Sequence, residues 1–149
     1  IAKGFNMKVL TTAEKIDNKR KSLWKEKGIE LIELDNLLEF SDIVSLHVPL
    51  NKITENLINI DKLKLMKKSS FLINLSRGRI VNEQDLLFIL KKNIIAGYAT
   101  DVFTKEKERT DLFKLHNTVF TPHLGAMTYE TQEEIGRILV QNINQFVKN

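Results

Sequence analysis

The stretch FLINLSRGRIVNEQDLLFIL, Phe71 to Leu90, starts as an apolar run, turns at Arg77-Gly78-Arg79 and continues with leucines at helical spacing. An apolar run without alternation reads as a strand covered on both faces. Leu86, Leu87 and Leu90 then fall on one side of a predicted helix from Asn82 to Lys92. A strand passing through a short turn into a helix is the first half of a β-α-β unit, so this stretch sets the fold class.

The same grammar extends in both directions. Met7 to Leu10, Ile29 to Leu34, DIVSLHVPL ending near Pro49, IIAGYATDVF and TVFTP read as strands. Between and after them, Asn18 to Lys27, Asp35 to Phe40, Asp61 to Lys67 and Thr128 to Val147 read as helices. Alternating strands and helices specify an α/β protein with a doubly wound parallel sheet and crossover helices. The polar segment TKEKERTD, Thr104 to Asp111, reads as a surface loop.

Composition narrows the function. At 149 residues, 42% hydrophobic and 28% charged, the chain is the size of one folded domain and lies far from the disordered regime. No apolar run is long enough to span a bilayer, and the N-terminal residues lack a signal-peptide pattern, so neither a membrane nor an export route is expected and the chain reads as cytoplasmic. The absence of cysteine removes disulfides, thiolate metal sites and a cysteine nucleophile. A net charge of +4 invites a nucleic-acid partner, but the basic residues are interspersed with acids. The dense run Lys19-Arg20-Lys21 reads as a solvated helix face, and no nucleic-acid partner is expected.

In a doubly wound sheet, ligands bind at the carboxyl ends of the strands. The residues just past the predicted strands are Thr11 to Ala13, His47 to Pro49, Ser76 to Gly78, Asp101 to Phe103 and Pro122 to Gly125. Among the residues brought to that edge, Arg77, Asp101, Glu106 and His123 have side chains able to do chemistry. An arginine able to grip a carboxylate with two hydrogen bonds, beside a histidine oriented by a glutamate, suits the reduction of an oxo acid.

From Lys3 to about Val147 the chain resembles the D-isomer-specific 2-hydroxyacid dehydrogenases, which include glyoxylate and hydroxypyruvate reductases and phosphoglycerate dehydrogenase. SDIVSLHVPL resembles the family's strand with a His-x-Pro end, INLSRGRIVNEQDL its arginine motif, IAGYATDVF its next strand and TPHLGA its histidine motif. KGFNMKVL and LKLMKKSSFLIN lean toward the glyoxylate and hydroxypyruvate reductase branch.

The resemblance implies a Rossmann-like dinucleotide-binding domain using NAD or NADP, with a small 2-oxo or 2-hydroxy acid as substrate and a homodimer as the working assembly. Arg77 is expected to hold the substrate carboxylate, His123 to donate the proton, and Glu106 to orient the imidazole. Cofactor contacts are expected from Val48, Pro49 and Thr54 on the adenosine side, and from Leu75, Ser76, Arg77, Asp101, His123, Gly125 and Ala126 toward the nicotinamide. No metal is implied.

Two departures from the family pattern carry consequences. The acidic residue that would bind the adenosine ribose falls at about Ala13, which opens a reading in which Lys15, Lys19 or Arg20 meets a 2′-phosphate. The family's first strand and its G-x-G-x-x-G turn are not in the sequence. Ile1 to Phe5 reads as the end of the helix that follows that turn. The chain is thus expected to be a partial dinucleotide-binding domain of a longer dehydrogenase, without its substrate domain and inactive when isolated. Loss of a central strand is expected to leave apolar residues and strand edges unpaired. Two other readings stand beside the enzyme: a non-catalytic, NAD-dependent module resembling transcriptional co-repressors, and a generic nucleotide-binding domain in which Arg77 and His123 are structural.

Overall fold

The computed structural model describes residues 1–105 and 110–148. After a 3-10 turn at Ala2–Phe5, the chain forms β1 (Val9–Thr11), α1 (Asn18–Glu26), β2 (Ile29–Leu31), α2 (Leu34–Phe40) and β3 (Ile43–Leu46). It continues through α3 (Ile60–Leu65), β4 (Phe71–Asn74), α4 (Glu83–Lys91), β5 (Gly97–Thr100), β6 (Thr118–Phe120) and α5 (Tyr129–Lys148). Every expected element is present, with shorter strands than the apolar runs suggest. The helix starts follow local chemistry: the Asp17, Asn59 and Asn82 side chains accept hydrogen bonds from Arg20, Lys62 and Asp85 N–H groups at the first turns of α1, α3 and α4.

All strand pairs are parallel, in two sheets: β1 with β2, and β3-β4-β5-β6 in that order. Among the described residues β1 pairs only with β2, and β3 only with β4, so the expected unpaired edges are there. The carboxyl ends of β3 to β6 gather at one edge. Thr11 to Ala13, at the end of β1, belong to the other sheet.

The four-stranded sheet corrects one expectation. Its strands were expected to be covered on both faces, yet burial alternates along them. Val44, Leu46, Leu72, Asn74, Tyr98 and Thr100 are buried, whereas Ile43, Phe71 and Val119 remain 46%, 50% and 66% exposed. The register aligns Val44, Leu72 and Tyr98 on one face, and Ile43 and Phe71 on the other. The first face closes the core against Leu38, Leu63, Leu86, Ile89 and Leu90, all essentially inaccessible to solvent. Each such side chain contributes about 2 kcal/mol of burial free energy. Along α5, Ile135, Ile138, Leu139, Ile143 and Phe146 are exposed, so its apolar stripe adds nothing to this core. Continuous hydrophobicity in Phe71 to Ile73 thus records the side chains, while the covering of the second face is absent from the described structure.

Asp85 ties two crossover units together: its Oδ2 accepts the Ile60 N–H at 2.8 Å, at the start of α3, while its own N–H is held by Asn82. Around it, Ile58 bridges to Val81 and Asn82 donates back to the Ile58 carbonyl at 2.9 Å. The turn that carries Arg77 is therefore bounded on both sides by fixed backbone.

Candidate active site

Asn74, Thr100 and Phe120 are register partners at the ends of β4, β5 and β6. Arg77 is the third residue past Asn74, Asp101 the first past Thr100, and His123 the third past Phe120. Three residues far apart in sequence thus leave neighbouring strands at one level. This is the gathering that the strand order implied.

The arginine turn is tightly built. The Ser76 hydroxyl donates to the Val48 carbonyl at 2.6 Å, fastening the loop after β4 to that after β3. Gly78 is present for space: a Cβ there would fall 2.1 Å from the Phe103 carbonyl carbon and 2.3 Å from the Thr104 nitrogen. Glycine in a turn usually supplies conformational freedom. The structure instead shows backbone packed on backbone, at a residue without positive φ. The helix beyond starts at Glu83, with Asn82 as its cap. Arg77 itself is exposed, donates from Nη1 to the Ser76 carbonyl at 2.7 Å and forms no ion pair among the described residues. The neighbouring cation Arg79, by contrast, is committed to Glu55.

The histidine turn hangs on Asp101, only 8% exposed. Its Oδ1 accepts the Thr121 hydroxyl at 2.5 Å and the Leu124 N–H at 2.7 Å, and its Oδ2 accepts the Gly125 N–H at 2.8 Å. Between these anchors His123 adopts a left-handed conformation with φ 56°, unusual for a residue with a Cβ and sustained by the bonds around it. Gly125 leaves room for the carboxylate, since a Cβ would sit 3.2 Å from Oδ2. The Thr121 hydroxyl foremost, then the two N–H groups and the nearby His123, hold the Asp101 carboxyl below its usual 3.8 despite the opposing effect of burial.

The sign of the pH effect follows. A lowered folded-state value means that ionised Asp101 stabilises the folded turn above pH 3.8, and that this contribution is lost as the pH falls through the lower, folded-state value. In acid titrations followed by NMR, the Leu124 and Gly125 amide protons are expected to move together below pH 3.8 while Leu72 stays still. Asp101→Asn should abolish the step, because its amide has no proton to gain or lose in this range.

The other expected contacts lie around the same edge. Val48 is half-buried and Pro49 exposed. The Thr54 hydroxyl is engaged inside its loop, donating to the Pro49 carbonyl at 2.6 Å. Leu75 and Leu124 present 55% and 46% of their surface to solvent beside the two turns. The Ala126 carbonyl accepts from Gln132 Nε2 at 2.6 Å. Glu106 lies outside the described residues. Lys15, Lys19 and Arg20 are exposed after β1, with Arg20 held at Asp17. The site is an open shelf. A neighbouring cleft of about 710 Å³ is lined by Glu55, Arg79, Asn82 and Phe103, and by none of Arg77, Asp101 and His123.

Sequence reasoning passed over Asn74 and Thr121. Asn74 had a signal: an amide-bearing side chain closes the apolar run FLIN two residues after Leu72, at a position that period-two alternation turns inward. Thr121 had none, since a threonine after a strand is commonplace.

This arrangement coincides with a described family. The family model for D-isomer specific 2-hydroxyacid dehydrogenase, NAD binding domain, matches residues 1–125. The chain belongs to the D-isomer specific 2-hydroxyacid dehydrogenase family. Glyoxylate reductase of Thermococcus litoralis is 40% identical over 148 residues, covering 99% of this chain and 44% of the relative. D-Lactate dehydrogenase from Aquifex aeolicus, solved with NAD and lactic acid, superposes with a TM-score of 0.85 at 33% identity over 97% of this chain and 47% of its own. An acyclic imino acid reductase, Bsp5, solved with NADPH and D-Arg, gives a TM-score of 0.85 at 33% identity over 99% of this chain and 45% of its own. This 2-hydroxyacid dehydrogenase domain therefore spans less than half the length of the relatives it matches. Among its described residues no helix is long and apolar enough to cross a membrane.

Proposed function

We propose that this NAD-binding domain serves an oxidoreductase that reduces a small 2-oxo acid to the 2-hydroxy acid with NADH or NADPH. The observation that carries the reading is the placement of Arg77 and His123 just past the in-register ends of β4 and β6, with Arg77 in no ion pair among the described residues. A guanidinium without a protein carboxylate is available for one on a substrate, which it can grip with paired N–H donors.

The chain's residues suit the cofactor in part. Exposed Leu75 and Leu124 offer apolar surface for a nicotinamide ring, Asp101, Gly125 and Ala126 border the same place, and Val48, Pro49 and Thr54 form a shelf for the adenosine side. A glycine-rich pyrophosphate turn and a substrate domain would complete the site in a longer, homodimeric polypeptide, and the isolated chain is expected to be inactive. Bound nicotinamide supplies a hydride to the carbonyl carbon. Arg77 binds the carboxylate and draws electron density from the carbonyl, His123 gives its proton to the forming alkoxide, and Glu106 orients the imidazole.

In the dehydrogenase containing this chain, Arg77→Gln is expected to lower kcat/KM for glyoxylate by about 10²- to 10³-fold, mostly through KM, as paired charge-assisted hydrogen bonds are lost. NADH affinity should fall far less than glyoxylate affinity, since the other expected cofactor contacts remain. A wild-type glyoxylate KM in that variant ends the proposal.

A further inference from the structure

We propose that Asn74 is a positioning residue for Arg77, a side chain that sets where the guanidinium can reach without touching substrate itself. This rests on the reading of Arg77 as the carboxylate clamp.

Asn74 is completely buried at the end of β4. Its Nδ2 donates to the Arg77 carbonyl at 2.9 Å, and its Oδ1 accepts the Ser76 N–H at 3.1 Å. The side chain thus spans the turn and holds the residue after Leu75 and the arginine by opposite polarities. Its backbone is fixed as well: the Asn74 carbonyl accepts the Thr100 hydroxyl at 2.8 Å and the Asp101 N–H at 3.3 Å. The Thr100 hydroxyl oxygen also accepts the Val102 N–H at 3.0 Å. One buried amide therefore joins the arginine turn to the strand end that carries Asp101, the anchor of the histidine turn.

The chemistry demands a primary amide. Aspartate would keep the acceptor for Ser76 but set a second oxygen against the Arg77 carbonyl. Leucine would leave the Ser76 N–H without its partner and the Arg77 C=O with only the Ile80 N–H at 3.3 Å. Only asparagine has one donor end and one acceptor end at this side-chain length. The Ser76 hydroxyl on the Val48 carbonyl at 2.6 Å and the Ile80 N–H on the Arg77 carbonyl at 3.3 Å also hold this turn, but only the Asn74 amide grips the Ser76 N–H and the Arg77 carbonyl together.

The test uses the 149-residue chain and oxalate as a carboxylate probe. In the wild type, NMR should show scalar coupling from Asn74 Nδ2 through the hydrogen bond to the Arg77 carbonyl carbon, and slow exchange of the Ser76 amide. In Asn74→Ala and Asn74→Asp, Ser76 protection should fall at least about tenfold while Leu72 and Leu90 amides keep theirs, and oxalate binding should weaken to the level of Arg77→Gln, on the order of tenfold. Absence of the coupling in the wild type, or residues 75–77 as ordered in Asn74→Ala as before, overturns the role of Asn74 even where a variant fails to fold. Oxalate binding unchanged by Arg77→Gln would instead overturn the clamp reading of Arg77, leaving the turn measurements to judge Asn74 separately.

Discussion

Replacing His123 with alanine in the dehydrogenase containing this chain is expected to lower kcat for glyoxylate reduction by about 10²- to 10⁴-fold. Hydride addition to a 2-oxo acid places negative charge on the former carbonyl oxygen, and an imidazolium within reach removes that charge as it forms. On the proposed reading the backbone around His123 suits it to this task. His123 sits at φ 56° between Thr121, Leu124 and Gly125, all three bound to the Asp101 carboxylate. A turn so constrained delivers the ring at one height above the sheet. On the proposed reading Arg77 carries glyoxylate binding, so KM should change by less than about threefold. The same substitution separates catalysis from a purely sensory role: a dinucleotide-dependent binding module has no need of a proton donor and would keep its function. Steady-state kinetics with NADH measures both parameters, and a kcat within tenfold of wild type would remove His123 from the mechanism.

The second large effect is structural. Gly78→Ala is expected to destabilise the fold by about 3 kcal/mol, because the new methyl would fall within 2.3 Å of three backbone atoms of Phe103 and Thr104. Backbone yields less readily than side chain, and here it is braced. The Phe103 ring packs 5.5 Å from Phe113 and 5.9 Å from Phe120, and those two meet edge to face at 4.6 Å. Moving Phe103 would disturb an aromatic cluster that includes the last residue of β6. If the chain relieves the clash by shifting the arginine turn instead, Arg77 loses its place and the loss appears in oxo-acid binding. Urea unfolding followed by circular dichroism reads the first outcome, and a midpoint equal to the wild type would contradict the packing described for Gly78.

Much of this was legible in residue order. Apolar runs such as Phe71 to Ile73, set between amphipathic segments, predict parallel strands with crossover helices, while the caps Asp17, Asn59 and Asn82 came from the structure. The placement of Arg77, Asp101 and His123 at one edge follows from topology alone. What the residues do not carry is contact between distant backbones. Gly78 reads only as a turn glycine until Phe103 is seen against it, and residue order does not show that the Asp101 oxygens hold Thr121, Leu124 and Gly125. Burial of both sheet faces was also over-read, because Ile43, Phe71 and Val119 are apolar whether or not anything covers them.

The most direct test of the central claim is the fate of the hydride. With the complete dehydrogenase, NADH deuterated at the transferable C4 position and glyoxylate, NMR should find glycolate carrying one deuterium at C2, formed rapidly by the wild type and lost together in Arg77→Gln and His123→Ala. Glycolate without the label, or labelled product formed equally fast by both variants, would contradict the account.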